Sequence, residues 1–169
     1  QTYDPLWLAD LGIALHSQGV QLICYGDGGL LSACRDRVTS NGLDPMTIFP
    51  GAIPKAEIAS RVAAADGVFS SLMANAALEV NSLNKVFDAF AAGRPIFLNH
   101  GGWLTDVAVS EGAGWRVSRD PEQAATDITA LLADHHLMTT AAESSQGAAV
   151  KLFCRDKHFV TFESTLRLE

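Results

Sequence analysis

Short apolar runs alternate with longer amphipathic stretches along most of the chain. Five short runs have the length and composition of buried strands: VQLICYG, MTIFPG, GVFSSLM, RPIFLN and GWRVS. Between them lie segments of roughly 10–15 residues whose apolar positions recur at helical spacing. This alternation is typical of a parallel sheet that helices cover on both faces. The pattern therefore predicts an α/β fold with a doubly wound parallel sheet, which we expect to form one domain over residues 1–169.

Capping residues mark where several helices begin and end. Asp4 is a candidate N-cap, Pro5 suits the first helical position, and Gly19 suits the end of that helix. Further helices are predicted in LLSACRDRVTSNG, IPKAEIASRVAAAD, NKVFDAFAAG, WLTDVAVSEG and DPEQAATDITALLAD, with one or two more near the C-terminus. Because doubly wound domains usually open with a strand, a chain that opens with a helix, at Gln1, is expected to lack its first strand and to be part of a longer protein.

Composition narrows the classes of function. The 169 residues are 48% hydrophobic and 18% charged, which is typical of a soluble globular protein with a sizeable core. A net charge of -7 argues against a broad nucleic-acid or anionic-membrane surface, and no apolar run is long enough to span a bilayer. Three cysteines without a CxxC pattern favour a reducing, cytoplasmic setting, and the spacing of His and Cys suggests no metal site.

Four strand-to-helix junctions are candidate binding loops, because ligands of open parallel sheets bind beyond the carboxyl ends of the strands. They are GDGG, PGAIPK, MANAALEVNSLNK and NHGGW, and we expect them to lie along one edge. GDGG lacks the third glycine of a dinucleotide fingerprint, since Leu31 holds that position. A tight turn that uses glycine for positive φ explains GDGG better.

The junction before Asn84 is long and polar, and loops of this length in compact domains are usually functional or disordered. It leads into the N-terminus of an apolar helix, where free N–H groups and the helix dipole favour an anion. A hydrogen bond from Lys85 to a phosphate would contribute about 1.5–3 kcal/mol, against about 0.3–1 kcal/mol from the dipole. The alternative is that Ser82 or Asn84 only caps the helix and Lys85 is solvated.

Four further residues near these junctions are candidates. Asp88 either lies on the solvated stripe of its helix or accepts hydrogen bonds from a vicinal diol such as a ribose. Gly101 and Gly102 follow a strand and would let backbone amides approach a ligand. His100 adjoins them, but a single histidine at a strand end is more often structural, and nothing here supplies a catalytic triad.

Taken in order, these segments resemble the C-terminal half of a family-4 (group 1) glycosyltransferase, a Rossmann-like half of the GT-B fold. The resemblance covers nearly the whole chain, and its most specific part is SLNKVFDAFAAG, which is similar to a segment of bacterial sugar transferases of lipopolysaccharide or capsule synthesis. It implies a nucleotide-sugar donor (UDP-, GDP- or another) as substrate, no further cofactor, and sugar transfer with retained anomeric configuration. It also implies a glycan or lipid-linked acceptor bound through a missing N-terminal domain, which would carry any association with the inner face of the membrane.

The resemblance further implies roles for individual residues. Asp88 takes the place of the second Glu of the E-x7-E signature, which holds the ribose hydroxyls, and Lys85 would stabilise charge on the departing diphosphate. The first signature Glu falls at Val80, so either Glu79, one residue earlier, takes that catalytic role through a shifted loop or this subgroup lacks it. The remaining implied donor contacts are Ile53, Pro54 and Lys55 against the base, and Asn81, Ser82, Asn84, Gly101, Gly102 and Trp103 around the phosphates and sugar.

Two other classes of function remain open. A sugar-nucleotide epimerase shares the GT-B architecture but needs ionisable groups placed for elimination, and none is evident. A non-catalytic α/β interaction domain is favoured by Val80, whereas Asp88, Lys85 and the glycine pair together count against it. If the glycosyltransferase interpretation holds, we expect the isolated chain to bind donor weakly and to transfer no sugar.

Overall fold

The computed structural model describes residues 2–166 and contains a parallel sheet of three short strands in the order β1–β2–β3. The strands are β1 Val68–Ser70, β2 Ile96–Leu98 and β3 Gly114–Arg116. The helices are α1 Pro5–Ser17, α2 Leu31–Ser40, α3 Lys55–Ala64, α4 Asn84–Ala91, α5 Trp103–Ser110, α6 Pro121–Ala133, α7 His135–Leu152 and α8 Arg155–Leu166. Helix α4 connects β1 to β2 and α5 connects β2 to β3, since adjacent parallel strands need such crossovers.

Each face of the sheet is buried by its own set of helices. Ile96 and Leu98 of β2 pack on one face with residues of α4, α5 and α7. Phe97, between them, packs on the opposite face with residues of α1 and α6. Phe69 and Trp115 stand beside Phe97 in the strand register, and the Phe97 and Trp115 rings stack with their centroids 5.6 Å apart. Burial on both faces explains why the strands are continuous apolar runs, and the predicted doubly wound α/β fold is confirmed.

The first two predicted strands, VQLICYG and MTIFPG, are not regular strands. They run side by side and share one isolated parallel bridge. Their hydrogen bonds run from the N–H groups of Cys24 and Gly26 to the carbonyls of Ile48 and Gly51, at 2.7 and 3.0 Å. A 3-10 helix over Pro45–Thr47 takes the first residues of the second run out of the extended conformation, so the ladder stays short. The prediction of two further full strands was therefore wrong, although the two segments do lie next to each other.

The predicted caps set the ends of the helices. Asp4 caps α1 by accepting a hydrogen bond from the Trp7 N–H at 3.2 Å, and Gly19, with φ +78°, lies just past its end. Asp120 caps α6 in the same way, accepting from the Gln123 N–H at 2.9 Å. The C-terminal stretch forms the two helices α7 and α8. No helix within residues 2–166 has the length and apolar character needed to cross a bilayer.

Candidate functional site

The loops that follow the three strands are bonded to one another at the carboxyl edge of the sheet. Asn99, directly after β2, is buried; its Oδ1 accepts from the Leu72 N–H and its Nδ2 donates to Ser71 Oγ, both at 3.2 Å. Arg119, after β3, donates to the carbonyls of Asn99 and Leu72 at 2.8 and 3.0 Å. Because each loop is bonded to at least one of the others, the edge forms one connected surface.

Glu79 lies directly against the glycine pair. A Cβ added at Gly101 would lie 3.0 Å from Glu79 Oε1, and one added at Gly102 would lie 2.1 Å from the Glu79 carbonyl oxygen. Gly102 also has φ +101°, a conformation that residues with side chains rarely adopt. Val80, by contrast, is 76% exposed. Of the two residues at the first signature position, Glu79 is therefore the one whose carboxylate lies at the edge.

Lys85 is the second residue of α4. The N-cap of α4 is Leu83, which makes no side-chain cap, so the alternative in which Ser82 or Asn84 caps the helix is wrong. The ammonium lies 4.0 Å from the centre of the Tyr3 ring and forms no ion pair with a carboxylate of residues 2–166. Burial lowers the pKa of Lys85. A partly buried cation without an acidic partner, beside an uncapped helix N-terminus, is suited to an anion.

His100 is 4% exposed and connects β1 to the glycine pair. Its Nε2 lies 3.0 Å from Ser70 Oγ, and its Nδ1 lies 2.9 Å from the Gly101 carbonyl oxygen. Since a carbonyl can only accept, Nδ1 carries the proton, and the Ser70 hydroxyl donates to Nε2. Thr105 completes the arrangement by donating to the His100 carbonyl at 3.0 Å.

Charged groups from three different segments act electrostatically on the His100 ring. Burial lowers the pKa of His100, and the hydrogen bond to the Gly101 carbonyl acts in the opposite direction. The ammonium of Lys85 lowers this pKa, the carboxylate of Glu79 raises it, and the guanidinium of Arg119 lowers it. These interactions place Lys85 from α4, Glu79 from the loop after β1 and Arg119 from the loop after β3 around the end of β2.

Asp88 is exposed on α4, one turn after Lys85. At 3.6 residues per turn it lies about 60° around the helix from Lys85 and about 40° from Asn84. The buried residues Val86 and Phe90 lie on other sides of this helix. Asp88 and Lys85 are thus neighbours on α4, one turn apart.

The remaining predicted donor contacts are half-buried or exposed. Asn81 is half-buried, while Ser82 and Asn84 are exposed in the turn that leads into α4. Trp103, 39% exposed at the start of α5, packs with its ring centroid 6.3 Å from that of Phe87 in α4. Ile53 is half-buried, and Pro54 and Lys55 are exposed. Lys55 is the first residue of α3, which lies next to α4.

Three residues of this edge were missed by sequence reasoning. Asn99 had a usable signal, because it is a polar residue that directly follows a fully apolar strand. Arg119 had none, since an arginine before a helix cap is ordinarily solvated. Tyr3 meets Lys85 only through the packing of the segment before α1.

Residues 2–166 contain neither a disulfide nor a cluster of metal ligands. Burial raises the pKa of the Cys24 thiol to about 12, against the opposing charge of Lys85, so the thiol is neutral. Cys24, Cys34 and Cys154 are all free. Within residues 2–166, no group of three or more His, Cys, Asp and Glu side chains could hold a metal ion.

Solved structures share this fold. The chain superimposes on Anabaena Alr3699/HepE in complex with UDP with a TM-score of 0.80 at 20% identity, covering 100% of this chain and 47% of that one. For HepE in complex with UDP and glucose the TM-score is 0.76 at 20% identity, covering 93% and 44%. For sucrose-phosphate synthase from Thermosynechococcus elongatus it is 0.72 at 20% identity, covering 99% and 43%.

The chain thus spans less than half the length of these solved structures. No protein-family model matches the sequence, and no curated protein matches it. The structural matches concern the fold alone, and they confirm the expected one. The chain has a Rossmann-like α/β fold, that of one half of the GT-B architecture.

Proposed function

We propose that this chain is the C-terminal, donor-binding half of a retaining glycosyltransferase of the hexosyltransferase type. The observation that carries the proposal is the Lys85 ammonium, partly buried and without a carboxylate partner in residues 2–166, close to His100 at the carboxyl edge of the sheet. An anion completes this arrangement electrostatically, and a diphosphate is the anion of a nucleotide-sugar. Support comes from the shared fold with HepE, which was crystallised with UDP.

In this proposal the diphosphate is held from two sides. Lys85 donates to it from α4, and the N–H groups of Gly101 and Gly102 and the start of α5 approach it from the loop after β2. When the bond between sugar and diphosphate breaks, negative charge grows on the departing oxygens. Fixed donors at those oxygens stabilise this charge without reorganising, which is the main contribution that a protein can make to such a step.

Two carboxylates would hold hydroxyl groups of the donor. Asp88, on the same flank of α4 as Lys85, accepts from the ribose diol. Glu79, whose carboxylate lies against Gly101, accepts from the transferred sugar, in place of a glutamate at position 80. Such bonds orient the anomeric carbon toward the acceptor, and orientation of this kind lowers the barrier substantially.

The nucleobase end of the donor would lie farther along the edge. Ile53, Pro54 and Lys55, at the start of α3, form the proposed surface for the base, and Trp103 and the turn Asn81–Asn84 border the sugar. The acceptor, a glycan or lipid-linked sugar, would be bound by a second half of the protein. We place this reaction in bacterial polysaccharide, lipopolysaccharide or capsule synthesis, on the cytoplasmic side of the membrane.

Calorimetric titration of the chain with UDP, GDP, their sugars and the free nucleosides tests the proposal. We expect one nucleoside diphosphate to bind, its nucleoside to bind more weakly, and no sugar to be transferred by the chain alone. Asp88→Asn should weaken binding of the diphosphate and the nucleoside alike, because both carry the ribose. Asp36→Asn, at an exposed carboxylate of α2, is the matched control and should change neither.

Three outcomes would contradict the proposal. If no nucleoside diphosphate binds, the chain has no donor site. Measurable sugar transfer by this chain alone would show that a second half is not needed to bind the acceptor. Interconversion of UDP-sugars, followed by NMR, would instead identify an epimerase.

A further inference from the structure

Building on the proposed function, we infer that His100 is a positioning residue that aims the Gly102 N–H at the diphosphate. The peptide bond between Gly101 and Gly102 links the two groups. In a trans peptide the carbonyl and the following N–H point in opposite directions. The direction of the Gly101 carbonyl therefore sets the direction of the Gly102 N–H.

The Gly101 carbonyl points into the protein. It accepts from His100 Nδ1 at 2.9 Å and lies 3.4 Å from Thr105 Oγ1, and these two side chains are only 4% and 2% exposed. The Gly102 N–H consequently points away from these two side chains. It donates to no acceptor among residues 2–166. A backbone donor left without a partner at an edge is available to a ligand.

Glycine makes this constraint necessary. Two consecutive glycines let their shared peptide rotate with little steric resistance, because neither residue has a Cβ. Rotation by half a turn would present the carbonyl oxygen, which repels a diphosphate, in place of the N–H. Gly102 cannot be replaced to prevent this, since the Glu79 backbone occupies the space that a Cβ needs and φ is +101°. The His100 ring supplies the missing constraint from the side.

The ring is itself held from a neighbouring strand. Ser70, the last residue of β1, bonds to Nε2 at 3.0 Å, which fixes both the orientation of the ring and the proton on Nδ1. A single chain of hydrogen bonds thus runs from β1 through His100 to the Gly101 carbonyl. This explains why a histidine, with two ring nitrogens in different roles, suits the position.

Two substitutions of His100 test the roles of the two ring nitrogens separately. In His100→Asn the side-chain amide can stand near Nδ1 and donate to the Gly101 carbonyl, whereas in His100→Gln it reaches toward Ser70, near Nε2. We expect His100→Asn to bind UDP within about twofold of the wild type and His100→Gln to bind it roughly tenfold more weakly. Uridine, which has no phosphate, should bind all three proteins equally. Calorimetry measures the affinities, and thermal unfolding checks that each variant is folded.

The chemical shift of the Gly102 amide in ¹⁵N-labelled wild-type protein gives a second readout that needs no variant. We expect it to move on addition of UDP and to stay unchanged with uridine. If the wild type binds neither UDP nor any other nucleoside diphosphate, the proposed function fails and this inference fails with it. If UDP binds but the Gly102 amide does not move, or folded His100→Gln binds as tightly as His100→Asn, the inference alone is overturned.

Discussion

Replacing Lys85 with methionine removes the charge at the proposed phosphate site and keeps the apolar stem of the side chain. In the wild type the ammonium is partly buried, its pKa is lowered by that burial, and its described contact is with the Tyr3 ring, 4.0 Å away. The lowered pKa means that the folded state holds the charged form less favourably than the unfolded state does. We therefore expect Lys85→Met to leave the free energy of unfolding unchanged or to raise it at neutral pH.

The effect on ligand binding has the opposite sign. A hydrogen bond from an ammonium to a phosphate contributes about 1.5–3 kcal/mol. The cation–π contact with Tyr3, about 0.5–1 kcal/mol, offsets part of this if it is lost when the ligand binds. The net loss in Lys85→Met is then about 1–2 kcal/mol, which corresponds to UDP binding about 5- to 30-fold more weakly.

Calorimetry with UDP and urea unfolding measure the two effects on the same protein. Lys157→Met is the matched control: that lysine, in α8, donates to the Val150 carbonyl at 3.1 Å and should leave UDP binding unchanged. A Lys85→Met protein that binds UDP within twofold of the wild type would refute the assignment of Lys85. A marked loss of stability would refute the reasoning about its burial.

Four further outcomes follow from the structure. Because phosphate binds the charged form of Lys85, UDP affinity should fall as the pH rises through the pKa of Lys85, which is lowered from its ordinary 10.5. Calorimetry above pH 7 measures this fall, and Lys85→Met should not show it. Gly102→Ala should lower the free energy of unfolding by about 2–4 kcal/mol, through strain at positive φ and collision with Glu79. Gly147→Ala, in open space on α7, should instead raise it by about 0.5–1 kcal/mol in the same urea titration. Arg119→Met should lower it by about 1–3 kcal/mol through loss of two hydrogen bonds, and an unchanged urea midpoint would contradict that role.

Local patterns were sufficient to predict most of the framework. The caps at Asp4 and Asp120 and the apolar strands after Gly67 and Pro95 depend on neighbouring residues, so the sequence carries that information directly. The extent of pairing between the first two apolar runs was not predictable in this way. It depends on where the 3-10 helix Pro45–Thr47 ends and on contacts between segments distant in sequence.

The site residues also differ in whether local sequence could predict them. The glycine pair and Lys85 were identified because positive φ and a helix N-terminus leave marks in a short stretch of sequence. The contact of Glu79 with the glycines, and the hydrogen bonds of Arg119 to the Asn99 and Leu72 carbonyls, form only when three loops meet at one edge. Whether the loop after β1 was shifted to bring Glu79 inward could not be read from spacing, since a change of one residue is absorbed by the backbone of the loop.

The two ends of this edge are held together to different degrees. Around β2, buried hydrogen bonds and the Arg119 guanidinium join three loops, whereas the segments near residues 26 and 51 share a single bridge. Changes in the loosely joined segment can accumulate without disturbing the firmly joined one. Under the proposed function, the surface for the nucleobase begins at Ile53, two residues after this single bridge, and could change while the loops around β2 keep the geometry that holds the diphosphate.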